Sequence, residues 1–294
     1  MNKQETQSNS AQIETLASDY RTGALNRRDF LTRLITLTGS MAAAHLLLEK
    51  SGLAQVVSDK EIKDAKITAS DVKFPNGELQ IGGYIAAPKG EGRFPAVLVI
   101  HENRGLNEHT RDVARRFAGE GFVALATDGL SRKGGTASMK SPDEARAAIG
   151  TITAEEALSD LEAGLTYLNT LPNVQTGNLG SVGFCWGGAR SFALATRPNP
   201  LKAAVVFYGS APSNEELAKA KCPILGLYGE TDTRITSAVP QVAETLKAAG
   251  KAFEHKIYGG AGHAFFNDTG ERYNAEAAKD AWTKTLEFLR AHLK

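Results

Sequence analysis

The sequence predicts an α/β fold, with a mainly parallel central sheet, helices on both faces and an antiparallel hairpin at the N-terminal end of the sheet. Three observations predict it. Short continuous apolar runs, such as residues 95–100 and 224–228, are what strands buried on both faces require. Between those runs lie segments with apolar residues three and four apart, the mark of a helix with one buried face. Near the start, Asn76-Gly77 separates two strand-like stretches, which is a strong hairpin signal.

Taken in order, residues 67–74 and 78–86 read as the two hairpin strands around Asn76-Gly77. Residues 95–100 form the next strand, and a helix with Val113 and Phe117 on one face follows. Residues 122–127 return to strand. Thr153 opens a helix with Glu156 three positions later, a capping box that satisfies two orphan amides at once. Leu158, Leu161, Leu165 and Leu168 mark its buried stripe. Strands at 179–184, 203–207 and 224–228 come next, with helical segments between them. Val242, Leu246 and Ala249 pattern the helix before a last strand at 253–258. The closing helix carries Trp282, Leu286, Leu289 and Leu293 on one side. Two antiparallel strands followed by alternating β and α units give a mainly parallel sheet. No repeat or low-complexity linker divides residues 66–294, so they are expected to form a single catalytic-sized domain.

Residues 1–54 are a different kind of sequence. Arg27-Arg28 precede Phe30-Leu31, and an uncharged stretch of 15 residues runs from Leu34 to Leu48, short of the roughly 20 that a membrane span needs. Gly52-Leu53-Ala54 offers small residues at a cleavage position. Paired arginines before a mild apolar core resemble a twin-arginine export signal, which predicts a periplasmic or exported protein. The alternative is a cytoplasmic protein that retains this segment as an N-terminal helix.

Composition excludes several classes. With 34 Lys+Arg against 33 Asp+Glu in 294 residues, there is no basic excess for tracking nucleic acid. Two cysteines cannot build a disulfide framework, and six scattered histidines form no zinc-ligand spacing. The expectation is an enzyme without metal or cofactor and without a stable membrane span, acting as a monomer or homodimer.

Three loops carry the chemistry. Gly183-Phe184-Cys185-Trp186-Gly187-Gly188 lies directly between a strand and a helix, the pattern of a nucleophile elbow with cysteine in the usual serine position. A helix N-terminus aimed at the sulfur is expected to favour the thiolate. Such an elbow needs an acid and then a histidine downstream, each after a strand. Asp232 follows strand 224–228, with Glu230 as the competing acid; His263 follows strand 253–258. Cys222, before Pro223 at a strand start, reads as structural. The loop His101-Glu102-Asn103-Arg104-Gly105 should supply the second oxyanion-hole amide, Asn103, beside that of Trp186. A carboxylate next to a thiol changes its protonation, so Glu102 is a further candidate.

These residues, from the His101 loop through the cysteine elbow, Asp232 and Gly262-His263, resemble the dienelactone hydrolase family of the α/β-hydrolase fold, over roughly residues 66–294. The resemblance implies hydrolysis of lactones or activated carboxylic esters by a Cys185–His263–Asp232 triad. It also implies a glutamate at position 102 that contacts the resting thiol and is released when substrate binds. Two arginines hold the substrate carboxylate in that family. Arg132 matches the first by its place after strand 122–127. Asn267 stands in the second position, where a neutral amide cannot give a charge-assisted bond to an anion; Arg104 or Arg272 would have to substitute.

The expected mechanism is attack by Cys185 on an ester or lactone carbonyl, with an acyl-thioester then hydrolysed by water that His263 activates. The same machinery suits a broad carboxylesterase, a thioesterase or an acyltransferase. Outside catalysis, Cys185 could serve as a thiol redox sensor, and a hydrolase fold can be a binding module, although no triad residue is missing here.

Overall fold

The computed structural model describes residues 12, 13, 15, 16, 19, 27–38 and 66–294. Arg27–Thr38 is a helix in which Phe30 and Leu34, one turn apart, are buried. Gly52-Leu53-Ala54 and most of the expected 1–54 leader lie outside the described residues. Among the described residues, no helix is long and apolar enough to cross a membrane.

Ile67–Asp268 and Arg272–Lys294 build the α/β unit. Its strands are β1 (Ile67–Asn76), β2 (Leu79–Pro88), β3 (Phe94–Ile100), β4 (Val123–Thr127), β5 (Val174–Phe184), β6 (Leu201–Phe207), β7 (Ile224–Gly229) and β8 (Phe253–Tyr258). The longer helices are α1 (Glu108–Gly119), α2 (Pro142–Ile149), α3 (Ala154–Thr170), α4 (Trp186–Thr196), α5 (Val239–Ala248) and α6 (Ala275–His292). One eight-stranded sheet has the order β1-β2-β4-β3-β5-β6-β7-β8. β1 and β2 pair antiparallel, as do β2 and β4; every other pairing is parallel.

The hairpin differs from its sequence signal by one residue. Asn76 pairs with Leu79, which leaves Gly77-Glu78 as the loop. Gly77 takes φ 59° and Glu78 has no positive φ, so only one left-handed residue is needed. Asn76 stays in the strand because its amide donates to Ser159 Oγ at 3.0 Å and Asp160 Oδ1 at 2.7 Å, both on α3.

Strand periodicity assigns the helices to faces. Leu98, Leu125 and Val206 share a core cluster with the α3 leucines, with Phe192 of α4 and with Leu246 of α5. On the opposite face, a Cβ on Gly180 would come within 2.8 Å of Leu289 in α6. The Thr153–Glu156 capping box forms at the start of α3.

From β3 the chain steps one way to β4, then crosses back past β3 to β5. A reversal of strand order of this kind opens a crevice at the carboxyl ends of the strands. The loops leaving β3, β5, β6, β7 and β8 on that edge carry Glu102, Cys185, Tyr208, Asp232 and His263 respectively.

Candidate active site

β5 ends at Phe184 and α4 begins at Trp186, so Cys185 alone makes the turn, with φ 55° and ψ −111°. A non-glycine residue in that region costs of order 1–3 kcal/mol and persists only where its surroundings over-determine it. Here the glycines do so. A Cβ on Gly183 would lie 2.0 Å from the Gly187 carbonyl oxygen, and one on Gly187 would lie 2.3 Å from that of Ile100. Only bare backbone lets the first turn of α4 press this closely on β5 and β3. The Cys185 amide donates to Phe207 O at 3.0 Å and the Gly187 amide to His101 O at 3.1 Å, which pins the turn from both sides.

His263 connects the sulfur to the acid. Its Nδ1 is 2.5 Å from Asp232 Oδ2 and its Nε2 is 3.0 Å from Cys185 Sγ. A carboxylate only accepts, so Nδ1 carries the proton and Nε2 is left to accept from the thiol. The loops after β7 and β8 are held together by backbone: Thr231 N–H donates to Ala261 O at 2.9 Å. Glu230 meets no imidazole; its Oε2 accepts from the Gly260 amide at 2.9 Å.

Glu102 is held by two donors, Tyr208 Oη to Oε1 at 3.2 Å and Asn267 Nδ2 to Oε2 at 2.9 Å. Two expectations are corrected here. The expected contact of Glu102 with the resting thiol is replaced by the contact of that thiol with His263. The helix terminus expected to favour the thiolate is outweighed: burial pushes Cys185 up to about 11, and the Glu102 carboxylate adds to the effect. The Trp186 amide, which faces the sulfur, and the Arg234 charge pull the other way. A buried sulfur facing two carboxylates is not ionised by one helix terminus.

The expected substrate-binding residues are differently employed. Arg132 makes a two-pronged contact with Asp160, Nε to Oδ2 at 2.8 Å and Nη2 to Oδ1 at 2.9 Å. The carboxylate it grips is therefore the protein's own. Asn267, likewise expected at substrate, is buried and directed at Glu102. Arg104 is exposed at the turn that follows the half-buried Asn103. Arg272 is exposed, and its charge is felt at Tyr208.

Sequence reasoning did not single out Tyr208, whose signal was its place just past the end of β6. Its φ is 39°, its ring centroid lies 5.1 Å from that of His263, and burial beside Glu102 raises its pKa well above the usual phenol value. His101 is also structural in a way the charged loop concealed. It is fully buried, stacks on Trp186 at 5.3 Å, and accepts from the Gly129 amide at 2.9 Å. Burial lowers its pKa, which keeps the ring neutral and able to accept. Among the described residues, no group of His, Cys, Asp and Glu could hold a metal ion.

A model of the dienelactone hydrolase family matches residues 81–293, more than half of the chain and every residue described above at the site. The chain belongs to the dienelactone hydrolase family. It is accordingly a hydrolase acting on carboxylic esters. A Synechocystis protein provisionally named carboxymethylenebutenolidase is 38% identical over 247 residues, covering 76% of this chain and 96% of that protein. A Methylorubrum extorquens protein with the same provisional name is 31% identical over 288 residues, covering 94% and 98%. A Klebsiella pneumoniae structure provisionally described as a dienelactone hydrolase has a TM-score of 0.71 at 30% identity, covering 76% of this chain and 98% of that one. A dienelactone hydrolase-like promiscuous phosphotriesterase from metagenomic libraries has a TM-score of 0.70 at 25% identity, covering 78% and 100%.

Proposed function

We propose that this dienelactone hydrolase family enzyme cleaves lactones or activated carboxylic esters through a Cys185–His263–Asp232 triad and an acyl-thioester. The observation that carries this reading is the continuous contact from Asp232 through His263 to the sulfur of a strained elbow. His263 Nε2 takes the thiol proton as Sγ bonds to the ester carbonyl carbon, and the carbonyl π electrons move onto oxygen. The Trp186 and Asn103 amides stabilise that oxyanion, a term worth about 3 kcal/mol per donor. The tetrahedral adduct collapses, the carbon–alkoxide bond breaks, and the leaving oxygen takes the proton from the imidazolium. Water, deprotonated by His263, then attacks the thioester, and the released thiolate recovers the proton.

A neutral resting thiol fits activated esters best. The nucleophile must be ionised during attack, so carbonyls with good leaving groups, such as enol lactones and aryl esters, suit it better than amides. The test is Cys185→Ser. We expect hydrolysis of an aryl ester to fall at least about a thousandfold, as for loss of the nucleophile in other triads. Survival of the wild-type rate would remove Cys185 from this role. The paired arginines at Arg27-Arg28 support an export segment within residues 1–54, with residues 66–294 as the catalytic domain. Intact mass of secreted protein tests it, since an N-terminus still at Met1 would count against export cleavage.

A further inference from the structure

The residue that follows β3 is a fully buried histidine to which the proposed chemistry gives no role. Both ring nitrogens of His101 are engaged. Nε2 accepts from the Gly129 amide at 2.9 Å, so the proton of the neutral ring sits on Nδ1. Nδ1 lies 2.5 Å from the Glu102 carbonyl oxygen and donates to it. That carbonyl and the Asn103 N–H belong to one planar trans peptide group. A hydrogen bond to its oxygen therefore fixes the plane in which the N–H points. It also polarises the amide, so that the N–H becomes a stronger donor.

The same residue meets the elbow. The His101 ring stacks on that of Trp186, with 5.3 Å between centroids and 10° between planes. The His101 carbonyl accepts from the Gly187 amide at 3.1 Å, in the first turn of α4. One buried residue thus holds Trp186 by stacking and the Asn103 peptide by the Nδ1 hydrogen bond. The ring is confined from the β4 side as well. A Cβ on Gly129 would come within 2.8 Å of His101 Nε2 and 3.1 Å of the Trp186 ring, so only glycine lets that loop close on both. A phenylalanine at 101 would fill the space and stack; it would lack the Nδ1 donor.

We propose that His101 is the positioning residue of the oxyanion hole. Its Nδ1–H, locked by the Gly129 amide at Nε2, orients and polarises the Glu102–Asn103 peptide so that the Asn103 N–H meets the charge developing on the ester oxygen. The inference rests on Cys185 being the nucleophile and on the Asn103 amide being one of the two oxyanion donors. His101 acts through that peptide and transfers no proton; burial keeps its ring neutral. The charge it answers exists only on the way to and from the tetrahedral adduct, so its effect falls on kcat rather than on substrate binding.

The test sets attack on a carbonyl against attack on sulfur. In ester cleavage the carbonyl oxygen takes up negative charge. With methyl methanethiosulfonate, Cys185 Sγ forms an S–S bond, methanesulfinate leaves with the electron pair, the thiol proton goes to His263 Nε2, and no carbonyl oxygen is charged. His101→Phe keeps a stacking ring and loses the donor. Its kcat on an aryl ester should fall about thirtyfold, less than the roughly 10²–10³ that loss of a whole donor costs. KM and the methylthiolation rate should each stay within about twofold of wild type. His101→Asn, whose Nδ2 takes the place of Nδ1, should recover part of the loss. Gly129→Ala, which pushes on the ring from the β4 loop, should show the same split to a smaller degree, and it carries the test if His101→Phe does not fold. An unchanged kcat, a loss expressed in KM alone, or equal losses in hydrolysis and methylthiolation would overturn the proposal and leave Cys185 as nucleophile. Hydrolysis that survives complete methylthiolation of wild-type Cys185 would overturn the nucleophile assignment, and the proposal with it.

Discussion

Two loops leave neighbouring parts of the same sheet edge and end in opposite conditions. The turn after β5 is a single strained residue, Cys185, with His263 at its sulfur and Glu102 close enough to oppose ionisation. The loop after β4 is turned in on itself. Asp128 accepts from the Thr136 amide at 2.7 Å and the Leu130 amide at 3.0 Å, and Arg132 pairs with Asp160. Both loops carry residues with a claim to chemistry, and both begin at the carboxyl ends of strands. Position after a strand determines which edge a side chain occupies. The nearest opposite charge determines what it does there: Asp160 already neutralises Arg132 and takes the forked pair of donors that would grip a ligand carboxylate.

The largest effect should come from the backbone of the elbow. Gly187→Ala would set a Cβ 2.3 Å from the Ile100 carbonyl oxygen, and a loss of about 3 kcal/mol or more is expected. In the β4 loop, Gly134 has φ 93° and a Cβ there would find Ser138 Oγ at 3.1 Å, so Gly134→Ala should cost only about 1 kcal/mol. Urea unfolding of both variants checks the contrast, and equal losses would break it.

The next effect is on thiol reactivity. A Cys185 thiol at about 11 should alkylate about tenfold faster for each pH unit between 7 and 10. Glu102→Gln removes one negative charge that opposes ionisation, which lowers the thiol pKa and raises the rate at pH 8. An increase of about three- to tenfold is expected from a shift of up to one unit. Iodoacetamide kinetics across pH measure it, and superimposable profiles would show that Glu102 does not control the sulfur.

The smallest effect on catalysis is expected at Arg132. Arg132→Gln breaks the pair with Asp160, whose side chain is 5% exposed, and should cost about 1–2 kcal/mol of stability. Discrimination between carboxylate-bearing and neutral esters should change less than twofold. A large loss of that discrimination would mean that Arg132 leaves Asp160 when substrate arrives, which would erase the contrast between the loops.

Much of the fold was legible because its signals are local. The apolar runs that became β3, β6 and β7 must be buried wherever they lie, and the Thr153–Glu156 capping box closes within one helical turn. The hairpin slipped by one residue because Asn76 is claimed by Ser159 and Asp160, distant in sequence. At the site, the order of elbow, acid and histidine put Cys185, Asp232 and His263 on three loops whose side chains meet in the structure. The choice of Asp232 over Glu230 followed from how far each lies past β7. Tyr208 carried no such mark. It acts through a hydroxyl that meets Glu102 across the space between the loops after β6 and β3.

The sequence by itself determined the strand and helix order, the residues at the carboxyl edge of the sheet and the glycines that an elbow needs. These follow from periodicity and from steric limits that act over a few residues. Only the tertiary structure decided the partners: Arg132 for Asp160, Asn267 for Glu102, His263 for the sulfur. It also decided the protonation of Cys185, because burial and the Glu102 charge outweigh the helix terminus that sequence could see. Partners and dielectric surroundings are set by which loops the fold brings together, and one-dimensional spacing holds no record of that distance.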